Sequence, residues 1–272
     1  MNKLLLGLIG AGIQRSLAPA LHEEEGRHHG LRVHYQLIDL DAAGAGIDAL
    51  PELVRSARAM GFAGFNVTHP CKQLVLPLLD ELSDEANAIG AVNTVVRDAR
   101  RLVGHNTDGS GWSWGFRRAL PGAGLGCVAP LGAGGAGAAC ADAVLRLGAR
   151  RLLIFDRQAA RATALAERLN ARFKGRRAEV APDPRALLAP ADGFIHATPT
   201  GMTKNPGMPI PVPAKLPLVR AWMVSIERTM SEIIALRPAP TGVDPETVSN
   251  IRPAESTAPA RRFVPPKSTP IA

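Results

Sequence analysis

Gly132-Ala133-Gly134-Gly135-Ala136-Gly137 has the spacing of a phosphate cradle. It follows the apolar run GCVAPL at 126–131 and opens a small-residue stretch at 135–148. In such a strand–turn–helix the first glycine permits the tight turn. The second lets the backbone approach a pyrophosphate, and the last allows close helix–strand packing. The helix start adds free N–H groups and the positive end of its dipole. The next apolar run, RLLIF at 151–155, ends at Asp156. A carboxylate there accepts hydrogen bonds from the adenosine ribose of NAD and repels the 2′-phosphate of NADP. Arg157 pulls the other way, because a guanidinium pairs with that phosphate. These residues predict a dinucleotide site, with NAD favoured and NADP the alternative. A plain glycine turn, and a helix cap for Asp156, are the rival readings. Gly10-Ala11-Gly12 also follows an apolar run, but Arg15 stands where the third glycine would fall.

Hydrophobic periodicity supplies the elements that must hold this loop. In the first half, strands are expected at 4–9, 33–38 and 61–67, with short ones near 91–97 and 101–104. One helix runs from Leu17, with Leu21 on its apolar side, to about Gly30, and another spans 46–60. A third is expected after the turn Thr68-His69-Pro70, carrying Leu74, Leu78 and Leu82. The second half alternates strands at 126–131, 151–155, 194–196 and 222–224 with helices at 135–148 and 159–171. Ala162, Leu165, Ala166 and Leu169 make the last helix amphipathic. A helix at 108–120 joins the halves and puts a cleft near its start. The fold class is α/β with two domains, an N-terminal α/β domain and a Rossmann-type dinucleotide domain, their sheets covered on both faces. The expected boundaries are 1–107, 108–236 and a Pro-rich, disordered tail at 237–272, which holds eight of the 23 prolines. Pro130 should weaken its strand locally, since it cannot donate to a ladder.

Composition narrows the function class. The 272 residues are 46% apolar and 21% charged, as in an ordinary globular protein. No 18-residue apolar stretch exists, so no membrane partner is expected. The net charge of +8 comes without a basic run interleaved with aromatics, which argues against nucleic acid and suits an anionic cofactor and a carboxylate substrate. Arg117-Arg118, Arg150-Arg151 and Arg176-Arg177 read as solvated element ends. Cys71, Cys127 and Cys140 lack metal-ligand spacing and cannot all pair, which favours the cytoplasm. His22, His28, His29 and His34 form no zinc pattern, so no metal is expected.

Several segments in order resemble the shikimate/quinate dehydrogenase family: GLIGAGIQRSLAPALHE, GFNVTHPCKQ, AIGAVNTVV, GHNTDGSGW, LGAGGAG and HATPTGM, spanning about 5–203. The resemblance is nearest to the NAD-preferring branch. It implies a substrate domain and a Rossmann domain with the substrate in the cleft between them. The implied reaction is reversible oxidation of shikimate, quinate or both to the 3-dehydro acid. Lys72 and Asp108 match the family's catalytic pair, and Ser16, Asn66, Thr68, Asn93 and Asp108 match positions holding the ring hydroxyls or carboxylate. Thr198 and Met202 match the loop beside the nicotinamide. The chemistry is coherent without the resemblance. Oxidising a secondary alcohol needs a hydride acceptor and a group that takes the hydroxyl proton, which a lysine oriented by a carboxylate can do. Alone, Lys72 would read as a surface lysine, His69 as part of a turn, and Cys71 as a thiol without an activating partner. Ala18 stands where many relatives have a second hydroxyl, which leaves the ring acid unnamed. From about Ile234 the chain departs from the family's ending, and no glutamine follows Gln158 to supply the one that reaches substrate there. That departure implies reduced activity and keeps an impaired, cofactor-binding homologue as the alternative. A monomer or a homodimer would be ordinary.

Overall fold

The computed structural model describes residues 3–174, 177–187, 190–201, 205–207 and the backbone of 222–225. All fall within one compact unit, Met1–Pro238. Met202 and the segment from 237 onward lie outside the described residues.

The first sheet is built from β1 (Lys3–Gly10), β2 (Arg32–Asp39), β3 (Gly64–Val67), β4 (Glu81–Leu82), β5 (Thr94–Asp98) and β6 (Arg101–His105), in the order β2-β1-β3-β5-β6-β4. β1, β2 and β3 run parallel, while β5 pairs antiparallel with both β3 and β6. The helices here are α1 (Ala18–His28), α2 (Leu50–Ala59) and α3 (Asp84–Ile89). Ser83 caps α3 by accepting the Ala86 N–H at 3.2 Å, and Gly90 ends it in the left-handed region at φ +71°. Its core gathers Ile9, Leu50, Val54, Phe62, Phe65, Val67 and Val75.

The second sheet contains β7 (Cys127–Leu131), β8 (Arg151–Ile154), β9 (Ala178–Val180), β10 (Gly193–His196) and β11 (Trp222–Ser225), all parallel, in the order β11-β10-β7-β8-β9. This is doubly wound order, and it reverses between β7 and β10. Ligands of such sheets bind at that crevice, beyond the carboxyl ends of the strands. The sequence puts the Gly132 loop after β7 and Thr198 after β10, on both sides of it. β7 is buried along its whole length, as a central parallel strand requires. α4 (Asp108–Ala119), α5 (Gly135–Arg146) and α6 (Ala159–Arg172) carry the core against it. Ala138, Ala139, Ala141 and Ala143 keep α5 slim, and the four apolar positions expected on α6 are all buried.

Pro130 has the expected local cost. The β7–β8 ladder runs through Cys127↔Arg151 and Val128↔Leu152, then breaks and returns only as an isolated Leu131↔Phe155 bridge. The β10 side keeps its register through Pro130↔Ile195.

Two helix expectations need correction. Residues 70–80 form turns and a short 3-10 segment at Leu76–Leu78 instead of a helix, and Leu82 lies on β4; Pro77 lacks the N–H and clashes with the preceding turn, so the Leu74, Leu78, Leu82 spacing is accidental. Leu17 and Leu21 do not face a core: they are 72% and 66% exposed. The first sheet is mixed, because β5 and β6 form an antiparallel hairpin. β3 is also shorter than expected, and β4 and β9 went unpredicted.

Candidate active site

Lys72 follows the turn after β3, and Asp108 opens α4. Their side chains meet, with Lys72 Nζ 2.5 Å from Asp108 Oδ2, and they are 17% and 25% exposed. Both partners are held from behind. Val92 N–H donates to the Lys72 carbonyl at 2.8 Å. The buried Asn106 side chain accepts from Asp108 N–H at 3.0 Å and donates to the Ala91 carbonyl at 2.9 Å. Trp112 and Phe116, stacked at 4.8 Å, bury the same helix in the second core and fix the direction from which Asp108 projects. At the first turn of α4 the carboxylate also faces the positive end of the helix dipole.

Asn93 is tied to this pair. Its Nδ2 donates to Asp108 Oδ1 and to Thr107 Oγ1, both at 2.9 Å, while its Oδ1 accepts from Thr107 N–H at 3.0 Å. Asn66, on β3, lies one step behind: its Nδ2 donates to the Asn93 carbonyl at 3.2 Å and to Thr94 Oγ1 at 3.1 Å. Lys72, Asp108, Asn93 and Asn66 are therefore one hydrogen-bonded cluster. Thr68 and Ser16 lie at the same end of the sheet without joining it. Thr68 N–H donates to the Ile9 carbonyl at 2.9 Å, and its methyl group fills the place of a Gly10 side chain. Ser16 Oγ accepts from Ala18 N–H at 3.2 Å, at the start of α1. Sequence reasoning missed Thr94, Thr107 and Asn106, although each lies within a motif that it quoted, AIGAVNTVV or GHNTDGSGW.

Beside the cluster is the glycine loop. Gly132 has φ +102°, and a Cβ there would lie 2.5 Å from the Ala197 carbonyl oxygen and 3.1 Å from Thr198 Cγ2. A Cβ on Gly137 would lie 2.0 Å from the Gly132 oxygen, whereas one on Gly134 would meet nothing within 4 Å. Turn, open approach and close packing are thus divided among the three glycines in the expected order, and the residues present fit a bound pyrophosphate. Gly135 has a further part. A Cβ there would lie 3.0 Å from Lys72 Cβ and 3.2 Å from Lys72 Cδ, so the missing side chain lets the start of α5 reach the Lys72–Asp108 pair.

Asp156 is held between loop and helix, accepting from Ala133 N–H at 2.7 Å and from Gln158 N–H at 2.8 Å. It is not the cap of α6, whose N-cap residue is Gln158. Arg157 is exposed. The rival Gly10 loop has an acid of its own: Asp39 accepts from Gly12 N–H at 2.9 Å and Ile13 N–H at 3.0 Å, spending the amides a phosphate would need.

Burial shifts three other titratable groups in this region. Cys71 is fully buried, and burial pushes its thiol up to about 11, away from the thiolate form that a nucleophile needs. Burial, helped by Arg161 and Lys72, holds His69 below the ordinary histidine range. Burial does the same to His196, whose ring lies 2.7 Å from Thr198 Oγ1. Among the described residues no histidine, cysteine and carboxylate cluster could hold a metal ion, and no helix is long and apolar enough to cross a membrane.

The glycine loop gives a prediction with an internal control. Gly137→Ala must displace backbone, which should cost about 1–3 kcal/mol of stability and abolish NADH binding. Gly134→Ala should melt with the wild-type chain while still losing NADH affinity, because its methyl group meets no protein atom within 4 Å and enters the open side of the loop, where a pyrophosphate is expected. Thermal melts and fluorescence titrations read both, and equal Tm losses would contradict this division of roles.

Residues 8–95 match the model of the shikimate dehydrogenase substrate binding domain. A shikimate dehydrogenase (NADP(+)) of Streptomyces avermitilis is 52% identical over 241 residues, covering 88% of this chain and 82% of that protein. A quinate/shikimate dehydrogenase (NAD(+)) of Corynebacterium glutamicum is 46% identical over 210 residues, 76% of this chain and 74% of that one. Among solved structures, the quinate dehydrogenase from Corynebacterium glutamicum in complex with NAD superposes with a TM-score of 0.69 at 39% identity, covering 83% of this chain and 80% of that one. With these likenesses running through both halves of the fold, the chain belongs to the shikimate/quinate dehydrogenase family.

Proposed function

We propose that this protein catalyses the reversible, nicotinamide-dependent oxidation of the 3-hydroxyl of shikimate, or the matching hydroxyl of quinate. The observation that carries the reading is the Lys72–Asp108 pair, 2.5 Å apart and packed against Gly135 of the dinucleotide loop. It brings a proton-handling group to the place where a hydride carrier would end.

When bound, the nicotinamide supplies the hydride acceptor or donor. In the oxidative direction the Lys72 amine takes the hydroxyl proton as the C–H bond breaks. In the reductive direction the Lys72 ammonium returns it to the carbonyl oxygen, and Asp108 balances that charge throughout. Asn93, Thr68 and Ser16 hold ring hydroxyls and carboxylate, with Asn66 directing Asn93 from behind. Gly132 to Gly137 cradle the pyrophosphate, Asp156 holds the ribose, and Thr198 borders the nicotinamide. Asp156 supports NAD as the preferred cofactor.

The proposed division is a substrate domain at 1–107 and a dinucleotide domain at 108–236. Three free cysteines support a cytoplasmic workplace. Steady-state assays with shikimate and quinate, each with NAD and NADP, test the function. Turnover of at least one ring acid is the expected result. Tight NADH binding without turnover would instead favour the impaired, cofactor-binding homologue.

A further inference from the structure

Tyr35, the chain's single tyrosine, lies on β2, outside every motif that marks the site. It is 4% exposed and stacked on His22, ring centroids 4.7 Å apart. Its hydroxyl lies 2.7 Å from Asn66 Oδ1. From there contacts run without a break: Asn66 Nδ2 to Thr94 Oγ1 at 3.1 Å, Thr94 Oγ1 to Asn93 Oδ1 at 2.9 Å, Asn93 Nδ2 to Asp108 Oδ1 at 2.9 Å, and Asp108 Oδ2 to Lys72 at 2.5 Å.

The direction of this chain is forced by chemistry. The Asn93 main-chain carbonyl can only accept, so the Asn66 atom facing it is Nδ2, and Oδ1 must face Tyr35. Thr107 N–H can only donate, so Asn93 turns Oδ1 toward it and Nδ2 toward Asp108, whose carboxylate can only accept. Thr94 receives the Asn66 amide proton, and its own proton goes to Asn93. Every donor therefore points the same way, and the series ends on the acid that pairs with Lys72. Bonds aligned head to tail polarise one another. A buried phenol is a rigid starting point, and burial pushes the Tyr35 hydroxyl up to about 12, so it stays a donor across the working pH range.

We propose that Tyr35 is a positioning residue for the reaction. Through Asn66 and Thr94 it adds a second hold, beside that of Thr107 N–H, on the Asn93 amide, and through Asn93 it steadies Asp108 against Lys72. The inference rests on the proton-handling role proposed for Lys72 and Asp108. Tyr35→Phe keeps the ring and its packing on His22 but removes the first donor. Thr94→Val interrupts the series in the middle, and Thr94→Ser preserves it.

The test compares kcat, KM for the ring acid, NADH affinity and Tm among wild type, Tyr35→Phe, Thr94→Val, Thr94→Ser and the Tyr35→Phe/Thr94→Val double variant, with Lys72→Ala as reference. Tyr35→Phe and Thr94→Val should each lower kcat about tenfold with NADH affinity unchanged. The double variant should lose no more than the larger single loss, because both changes break one series, and Thr94→Ser should stay near wild type. Wild-type kcat in Tyr35→Phe or Thr94→Val, or fully multiplicative losses in the double variant, would overturn the proposal. If Tyr35→Phe does not fold, the contrast between Thr94→Val and Thr94→Ser decides, and equal kcat in those two would overturn it as well. Turnover retained in Lys72→Ala would refute the underlying assignment instead, so the two failures are separable.

Discussion

Lys72→Ala should lower turnover of the ring acid about a thousandfold, within the usual range for loss of a general acid–base group, and leave NADH affinity within about twofold of wild type. The expected losses differ because Lys72 meets Asp108 through its tip but touches the dinucleotide loop only through its stem, beside Gly135. Removing the amine deletes the proton acceptor and leaves the Asp108 carboxylate without its cation. The fall should appear in both kcat and kcat/KM, the pattern of an interaction made chiefly in the transition state. Lys72→Arg should not rescue activity, since a guanidinium keeps its proton at any working pH. Single-turnover kinetics, with NADH binding followed in parallel, separate these effects. Turnover within about tenfold of wild type in Lys72→Ala would assign the proton to another group.

The second large effect concerns the choice of cofactor. The wild-type chain should prefer NAD over NADP by about 30-fold in kcat/KM, corresponding to roughly 2 kcal/mol of like-charge repulsion. Asp156→Ser should remove most of that preference and can reverse it, because Arg157 is then left to attract the 2′-phosphate. Asp156 also accepts the Ala133 N–H, so the variant should weaken NAD binding while strengthening NADP binding. The relatives include both an NADP(+)-named and an NAD(+)-named enzyme, so this prediction rests on the residue itself. A wild-type preference for NADP would show that Arg157 sets the local field.

The dinucleotide half was legible in the sequence because its signal is local. Glycine spacing, the preceding apolar run and the acid after the next strand lie within one βαβ length, and Gly132, Gly134 and Gly137 differ as their order suggests. Lys72, Asp108, Asn93 and Asn66 were selected through short motifs, and the fold joins them by hydrogen bonds. What stayed hidden depends on register and on chain breaks. Tyr35 reaches Asn66 because β2 and β3 both flank β1, with Leu6 opposite Tyr35 and Leu8 opposite Asn66. No spacing along one chain reveals that alignment. Gly135 clears space for Lys72, a role that needs the α5 start and the post-β3 turn in contact. The false helix at 70–82 arose from evenly spaced leucines, where Pro77 prevails over periodicity. Leu17 and Leu21 showed the same limit: helical spacing alone does not say that a core faces it.

The central claim is that this site moves a hydride from the ring carbon bearing the 3-hydroxyl to a nicotinamide, with Lys72 taking the proton. A single turnover of 3-deuterated shikimate or quinate with NAD, followed by mass analysis of the reduced cofactor, tests it directly. Deuterium should appear in the NADH formed by the wild-type chain, and no labelled NADH should accumulate with Lys72→Ala on the same timescale. NADH free of deuterium, or no NADH at all from a protein that binds the cofactor, would contradict it.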